Sequence, residues 1–401
     1  FLVPSGTVSA LNSGALPTGG EITYGKGSIS VIGRQMTVKQ NTEKLIANWD
    51  TFNIGKNAGV TFRQPGSDAT ALNRIYDQNP SQILGSLSAN GKIYLINPSG
   101  IVFGKSAQVN VGSLVASSLN MSDRDFLNGN YKFASNGKAG DIINQGKISV
   151  IPGGLAALIG PSVINEGTIT AAQGDVLLAA GDQVTLNFNR NDLISYTVDK
   201  GAIDALAENS GLIKADGGQV ILTARAADTL TSAVVNNTGI IEAQTFKQKA
   251  GRILLMSDME NGQTLVDGTL DASAPNGGNG GFIETSAANL QVNDTAIITT
   301  LAKKGETGTW LIDPYDFTIA ASGGDITGAA VTTALANTNV TIQTTNTGVT
   351  CTNLAGCGTG NSAGNGDIFV NDNITWTKNI LTLNAYRDIV INEELFGSDT
   401  A

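Results

Sequence analysis

The 401-residue sequence predicts an all-β fold, a right-handed parallel β-helix with an N-terminal cap and extra-helical hairpins. Three observations lead to this prediction: the composition, an internal repeat, and the alternation of apolar and polar residues within that repeat. The chain has 49 glycines, no histidine and 14% charged residues, against roughly 25% in a typical globular domain. This composition favours many short strands joined by tight turns, where Gly and Asn supply positive φ values.

The repeat consists of two short elements that recur through the middle of the chain. The first places Asn two residues before Gly and Ile two residues after it, as in INQGKISV from residue 143. Its glycines are spaced by 21, 44, 28 and 29 residues: Gly146, Gly167, Gly211, Gly239 and Gly268. Periods of 20 to 30 residues indicate a solenoid. We interpret the 44-residue interval as close to two copies of the first interval, widened by an insertion.

The second element follows the first, as in GGLAALIG from residue 153 and GGQVILTA from residue 217. Apolar residues alternate with small or polar ones within both elements, which predicts strands with one buried face. Such short strands cannot bury that face alone, so each coil must stack on the next. The sequence therefore predicts coils about 4.8 Å apart, with Gly and Asn at the corners.

Three regions flank or interrupt the repeat. The segment Phe188 to Glu208 breaks its register, and we expect an extra-helical hairpin there, with a short helix over Ala202 to Glu208. The N-terminal segment from Ile22 to Phe62 is expected to cover the exposed strand edge of the first coil, with Trp49 and Phe52 as core anchors. We divide the chain into a cap at 1–70, a β-helix at 71–300 with its insertion near 188–208, and a continuation into a stem at 301–401.

Composition also argues against several classes of function. The 24 basic and 34 acidic residues give a net charge of −10 without a basic run, so nucleic acid and anionic membranes are not expected partners. The sequence contains no uninterrupted apolar run of about twenty residues, so it predicts no membrane-spanning segment. The start, FLVPSG, lacks Met and a charged region, which we interpret as the point after a removed export signal or a cut in the chain.

We expect no metal, no cofactor and no catalytic residues. Polysaccharide-cleaving β-helices need clustered carboxylates or a catalytic Arg on one face of the coils. The acidic residues of the repeat region do not recur at one coil position: Asp175, Asp182, Asp216, Asp228 and Asp258. The two cysteines, Cys351 and Cys357, are separated by five residues. They are either unrelated thiols or, if the protein is exported, a local disulfide.

Several segments outside the repeat carry a family resemblance. These are the run from Ala15 to Phe62, ALNRIYDQNPSQILGSLSANGKIYLINPSGIVFGK from Ala71 to Lys105, LVASSLNMSDRDFLNGNYKF from Leu114, and GETGTWLIDPYDFTI from Gly305. Together they resemble the secretion domain of two-partner secretion exoproteins, the family of filamentous haemagglutinin and the high-molecular-weight adhesins. The family's Asn-Pro-Asn-Gly-Ile signature is matched by Asn97, Pro98, Ser99, Gly100 and Ile101, with Ser in place of the second Asn. A second family signature, Asn-Pro-Asn-Leu, is absent.

The resemblance implies an export function. Its expected partner is an outer-membrane TpsB-type β-barrel transporter with periplasmic POTRA domains. The domain would cross the periplasm unfolded, fold on emerging and nucleate the β-helix of a longer secreted or cell-surface protein. We expect that longer protein to be an adhesin. We expect the domain to be a monomer. The alternative is that the fragment itself binds a host-cell protein or a glycan.

Two groups of residues are the candidate site. Residues Asn97 to Gly100 predict a type I turn, which either chiefly stabilises the fold near the cap or contacts the transporter. Asn73 and Arg74 match an Asn-Arg pair of the family. We expect Arg74 to form a structural salt bridge with the neighbouring Asp77, with a docking contact as the alternative.

Overall fold

The computed structural model describes residues 11–187, 195–228, 230–345 and 364–398. Over these residues the chain winds through three long sheets, here called faces A, B and C. Face A has thirteen strands: β1 (Glu21–Tyr24), β4 (Lys44–Trp49), β6 (Thr70–Ile75), β9 (Lys92–Ile96), β12 (Ser113–Ser117), β16 (Leu155–Gly160), β19 (Asp175–Ala180), β24 (Gln219–Ala224), β27 (Arg252–Met256), β30 (Phe282–Ser286), β33 (Thr309–Asp313), β35 (Asn339–Gln343) and β38 (Leu381–Asn384).

Face B has eleven strands and face C has eight. Those of face B are β2 (Gly27–Ile32), β3 (Gln35–Gln40), β5 (Gly59–Arg63), β8 (Ser86–Ala89), β11 (Gln108–Val111), β15 (Lys147–Val150), β18 (Thr168–Thr170), β23 (Leu212–Lys214), β26 (Ile240–Glu242), β29 (Thr269–Asp271) and β32 (Ile297–Thr299). Those of face C are β7 (Ser81–Ile83), β10 (Ile101–Phe103), β14 (Ile142–Asn144), β17 (Ser162–Asn165), β22 (Ala205–Asn209), β25 (Ala233–Asn237), β28 (Gly262–Val266) and β31 (Asn289–Val292).

The remaining elements form three small sheets and two helices. The small sheets contain β13 (Tyr131–Ala134), β20 (Gln183–Asn187) and β21 (Ser195–Lys200), then β34 (Phe317–Ala320), β36 (Ile368–Asn371) and β39 (Ile389–Ile391), and finally β37 (Ile374–Trp376) and β40 (Leu395–Gly397). The helices are α1 (Asp123–Asn128) and α2 (Gly328–Leu335). Neither of these two helices of the described chain is long enough to cross a membrane.

Each coil visits the faces in the order A, C, B, as β16, β17 and β18 do before β19 begins the next coil. Corresponding strands pair in parallel and in register, so like side chains stack inside the helix. One such column joins Leu158, Leu178, Leu222 and Leu255, all fully buried. The predicted parallel β-helix is confirmed.

The repeated glycines stack at one corner of the coils. A Cβ atom on Gly167, Gly211 or Gly239 would lie 2.1–2.3 Å from the carbonyl oxygen of the glycine one coil earlier. None of these three has a positive φ. Glycine is therefore needed at this corner because one backbone approaches the next too closely for a side chain. The positive φ values expected from the composition do not explain these glycines.

The 44-residue interval contains one coil. Strand β17 pairs directly with β22, and β18 pairs with β23, so Gly167 and Gly211 lie on neighbouring coils. The interpretation as nearly two copies is wrong because the extra length is the antiparallel hairpin of β20 and β21, which pairs with β13 outside the helix.

The helix expected over Ala202 to Glu208 is also wrong. Residues Ala205–Asn209 form β22 of face C. Ala205 and Ala207 point into the core, and in-register pairing with both neighbouring strands outweighs the helix propensity of alanine. The two strands of the extra-helical hairpin are Gln183–Asn187 and Ser195–Lys200, and residues 188–194 lie outside the described part.

The N-terminal end of the helix is covered by antiparallel strands. Strand β1 pairs with β4 at the edge of face A, and β2 pairs with β3 at the edge of face B. Trp49 and Phe52 are buried beneath, edge to face with ring centroids 5.2 Å apart. Both therefore act as core anchors, as predicted, and the cap hides strand edges that would otherwise favour aggregation.

Cys351 and Cys357 lie outside the described residues, so their pairing stays a prediction. Within the described ranges, no three His, Cys, Asp or Glu side chains come together as metal ligands.

Replacing Gly211 with Ala should destabilise the domain by about 1–3 kcal/mol, because the new methyl group would collide with the backbone of the neighbouring coil. Urea unfolding of the purified domain measures this. Gly66→Ala is the matched control, since a Cβ there meets nothing within 4 Å and its φ is not positive. Equal stability of the two variants would contradict the close-approach argument.

Candidate functional site

Residues Asn97 to Gly100 form a β-turn where the chain passes from face A to face C. The Gly100 amide donates to the Asn97 carbonyl at 2.9 Å, which closes the turn. Neither central residue, Pro98 or Ser99, has a positive φ, which excludes the type II, I′ and II′ turns. The Asn97 side chain accepts a hydrogen bond from the Ser99 amide at 2.9 Å and so reinforces the turn from within.

The Asn97 side chain also joins the turn to the preceding coil. It is fully buried, and its Nδ2 donates to the Ser81 hydroxyl at 2.9 Å and to the Asn79 carbonyl at 3.1 Å. The Ser99 hydroxyl donates to the Asp77 carbonyl at 2.8 Å. The amide of Asn97 and the hydroxyl of Ser99 thus connect the turn to residues 77–81.

Gly100 and Ile101 complete the motif on the other side. Gly100 has φ = 105°, and a Cβ there would lie 2.7 Å from the carbonyl oxygen of Asp141 on the next coil. Ile101 is fully buried and begins β10. Three of the five motif residues are therefore interior, whereas Pro98 is exposed and Ser99 half-buried.

The exposed part of the turn borders a shallow groove of 410 Å³. Its wall includes Tyr76, which is 58% exposed, together with Asp77, Pro98 and Lys138. This surface is the part of the motif region that a folded partner could touch.

Asn73 lies inside the helix on β6, one coil before the turn. Its Oδ1 accepts a hydrogen bond from the Trp49 indole at 3.0 Å, and its Nδ2 donates to the Tyr94 carbonyl at 3.2 Å. The side chain is fully buried. Asn73 therefore links three successive strands of face A, β4, β6 and β9.

Arg74 points the opposite way, onto the outer surface of face A. It forms a salt bridge with Asp123 at 2.6 Å and donates to the Met121 carbonyl at 2.6 Å. The expected pairing with Asp77 is wrong, because the Asp77 carboxylate accepts the Asn79 amide at 2.9 Å within its own loop. The guanidinium instead fastens the start of α1.

Helix α1 is held at both ends by cations from the first coils. At its end, Lys44 Nζ donates to the carbonyls of Leu127 and Phe126 at 2.8 and 3.1 Å, where a cation favours the helix dipole. At its start, Ser122 caps the Asp125 amide at 3.0 Å. A six-residue helix is marginal alone, so these contacts and packing hold it in place.

Beneath α1 and the extra-helical sheet lies a second apolar layer on the outside of face A. Tyr94 stacks on Tyr131 at 5.7 Å and meets Phe126 edge to face at 5.9 Å. Burial raises the pKa of Tyr94 well above its ordinary value. Sequence reasoning missed this layer. Its signal was the continuous apolar run of segments such as Leu155–Gly160, which is buried on both faces.

A buried ladder of asparagines runs along the corner between faces C and B. The ladder consists of Asn144, Asn165, Asn209 and Asn237. Each of the first three donates from Nδ2 to the Oδ1 of the next, at 2.7, 2.7 and 2.8 Å. All four are fully buried. The position before the ladder is Phe103 and the position after it is Val266. Such a ladder satisfies interior amides that would otherwise be costly.

The motif residues thus form one connected region. In face A, Asn73 and Arg74 lie opposite Leu95 and Ile96, directly before Asn97 in the chain. The arrangement joins the first coils, the turn and the external helix. Cys351 and Cys357 are not part of the described region.

Sequence comparison assigns this capped parallel β-helix to a family. A family model described as the TPS secretion domain matches residues 10–271. The chain therefore belongs to the TPS secretion domain family of two-partner exoproteins.

Individual relatives fit this assignment. The chain is 35% identical over 252 residues to a heme/hemopexin-binding protein of Haemophilus influenzae, which covers 61% of this chain and 27% of that protein. A second protein of the same name and species is 32% identical over 245 residues, covering 56% and 26%. The chain thus spans about a quarter of these relatives' length. The HMW1 secretion domain of Haemophilus influenzae shares the fold, with a TM-score of 0.66 and 24% identity over 95% of this chain and 100% of that one.

Replacing Asn97 with Ala should lower the free energy of unfolding by about 1–3 kcal/mol, because it leaves the Ser99 amide and its partners on residues 79–81 unpaired. Chemical denaturation measures this. Pro98→Ala is the control within the same turn, since Pro98 is exposed and has no amide to donate. An Asn97 variant as stable as the Pro98 variant would contradict a structural role for the turn.

Proposed function

We propose that this chain is the part of a two-partner exoprotein that directs export through a TpsB-type outer-membrane β-barrel transporter with POTRA domains, and that nucleates the β-helix on the outside of the cell. The observation that carries the proposal is the match of the TPS secretion domain model to residues 10–271. The cap fits this role, because β1 and β2 cover the first coil and leave stacking to proceed in one direction along the chain.

Coil-by-coil stacking supports outward transport. Each coil pairs with its immediate neighbours, so a segment that emerges can fold on the previous coil without waiting for the rest of the chain. Free energy released outside then opposes return through the pore. This would drive vectorial movement without ATP.

Burial determines which motif residues the transporter could contact before folding and which it could contact afterwards. Asn73, Asn97, Gly100 and Ile101 are buried in the folded domain, so a transporter can contact them only before folding. Pro98 and Ser99 reach the surface and could be contacted afterwards. We propose that the motif acts mainly by making the cap fold rapidly once it has emerged.

The activity of the whole protein is a further proposal. We propose an adhesin of the cell surface or the surrounding medium. The names of the 35% and 32% identical relatives favour a second candidate, capture of haemopexin or a similar host protein by the longer protein. We propose no catalytic function, which is supported by the ion pairing of acidic residues such as Asp216 with Lys214 and Asp182 with Lys200.

An export assay tests the first proposal. The chain, preceded by an export signal and co-expressed with its cognate transporter, should appear in the medium, whereas cells without the transporter should retain it. Gly100→Ala should reduce export at least tenfold, because its strained φ and its clash with Asp141 slow folding of the cap. Gly66→Ala serves as the control.

Two results would overturn parts of this proposal. Retention of the unmodified chain despite its cognate transporter would contradict the secretion function. Normal export of Gly100→Ala would contradict a role for the turn. For the second candidate, the purified full-length protein should bind immobilised haemopexin saturably, and the absence of binding would exclude it.

A further inference from the structure

A second groove lies outside face A, beside the extra-helical hairpin and away from the Asn97 turn. Its volume is 920 Å³. The floor is apolar and comes from Ile221, Leu254 and Met256, and one wall is strand β21. The function proposed above makes no use of this groove.

Strand β21 presents an open edge to the groove. It is the outermost strand of the sheet β13, β20, β21. The Arg225 guanidinium donates to the Val198 carbonyl at 2.8 Å, so the backbone groups of Val198 face away from β20. Because direction alternates along an antiparallel strand, those of Tyr196 also face the groove. Among the described residues, no strand pairs with this edge.

The groove carries opposite charges at its two ends. Arg252 lies over the Phe282 ring at 5.4 Å, and no carboxylate of the described chain lies within salt-bridge distance of it. Asp228 and Glu260 line the other end, where Asp258 is already neutralised by Arg225 at 3.8 Å. Strand β27 separates the two ends by about 13 Å, the rise of four residues.

We propose that this groove binds an extended segment of another protein, which adds as a strand to β21. The segment would carry an acidic residue near Arg252, apolar residues over Leu254 and Met256, and a basic residue near Asp228 and Glu260. An open strand edge beside an apolar floor is the arrangement of β-augmentation sites, where main-chain bonds give affinity and side-chain pockets give specificity. The volume admits a short extended segment and no folded domain.

Peptide selection tests the proposal. A random ten-residue peptide library displayed on phage is selected against the full chain. Enriched peptides should alternate apolar and polar residues, with an acidic residue near one end and a basic residue near the other. Fluorescence anisotropy of a synthetic enriched peptide then gives its Kd.

Charge reversal at the groove should break this binding selectively. Arg252→Glu should weaken the peptide at least tenfold, and a peptide with Lys in place of its acidic residue should regain affinity for that variant. Lys147→Glu makes the same charge change on the exposed surface of face B and should leave the Kd unchanged.

A backbone variant tests strand addition itself. Val198→Pro removes the amide that faces the groove and leaves the β20-facing amides of Ser195 and Thr197 in place, so it should also cost at least tenfold in affinity. Thermal melting followed by circular dichroism checks that the variant stays folded.

Three results would overturn the proposal. The first is the absence of any enriched peptide. The second is equal binding of enriched peptides to the wild type, Arg252→Glu and Val198→Pro. The third is a dimer of the free chain, measured by light scattering, that Arg252→Glu dissociates, because the groove would then join two copies of this chain.

Discussion

Every part of this structure depends on the close stacking of one coil on the next. Strand spacing leaves no room for a side chain where the backbones meet at the corners, which is why Gly167, Gly211 and Gly239 succeed one another there. In-register pairing then places leucine on leucine and asparagine on asparagine. The folding free energy is consequently close to a sum of terms for the coils and for the interfaces between neighbouring coils. A defect in one coil therefore destabilises the adjacent coils most.

The family motifs acquire a physical meaning within this stack. Asn73 ties three strands together from inside, while the adjacent Arg74 holds α1 from outside. Asn97 and Gly100 fix the path between two faces and against two neighbouring coils. A dipeptide and a turn thereby fix the interior of face A, the position of α1 and the path of the chain between two faces, which explains how so few residues can serve as a signature of the domain.

The sequence was sufficient for the β-helix, the cap and the turn, because period-two alternation and turn chemistry are local signals. Predictions from the sequence were wrong where contacts between residues distant in the chain determine the structure. The alanines of β22 resemble a helix until their partners on β17 and β25 are known. Arg74 has Asp77 close in sequence, yet its partner Asp123 is 49 residues away. The sequence indicated a hairpin over Phe188 to Glu208, whereas its strands are Gln183–Asn187 and Ser195–Lys200. Its pairing with β13 and the outer apolar layer could not be predicted, since nothing local specifies them.

The asparagine ladder has a consequence for fidelity. A strand of face C that shifted by one residue would move its asparagine out of line with those of the neighbouring coils. The displaced amide and its former partners would then be buried without hydrogen bonds, at a cost of about 1–3 kcal/mol. The ladder therefore fixes the register of each coil in a chain whose other buried columns, such as the leucines of face A, are chemically alike.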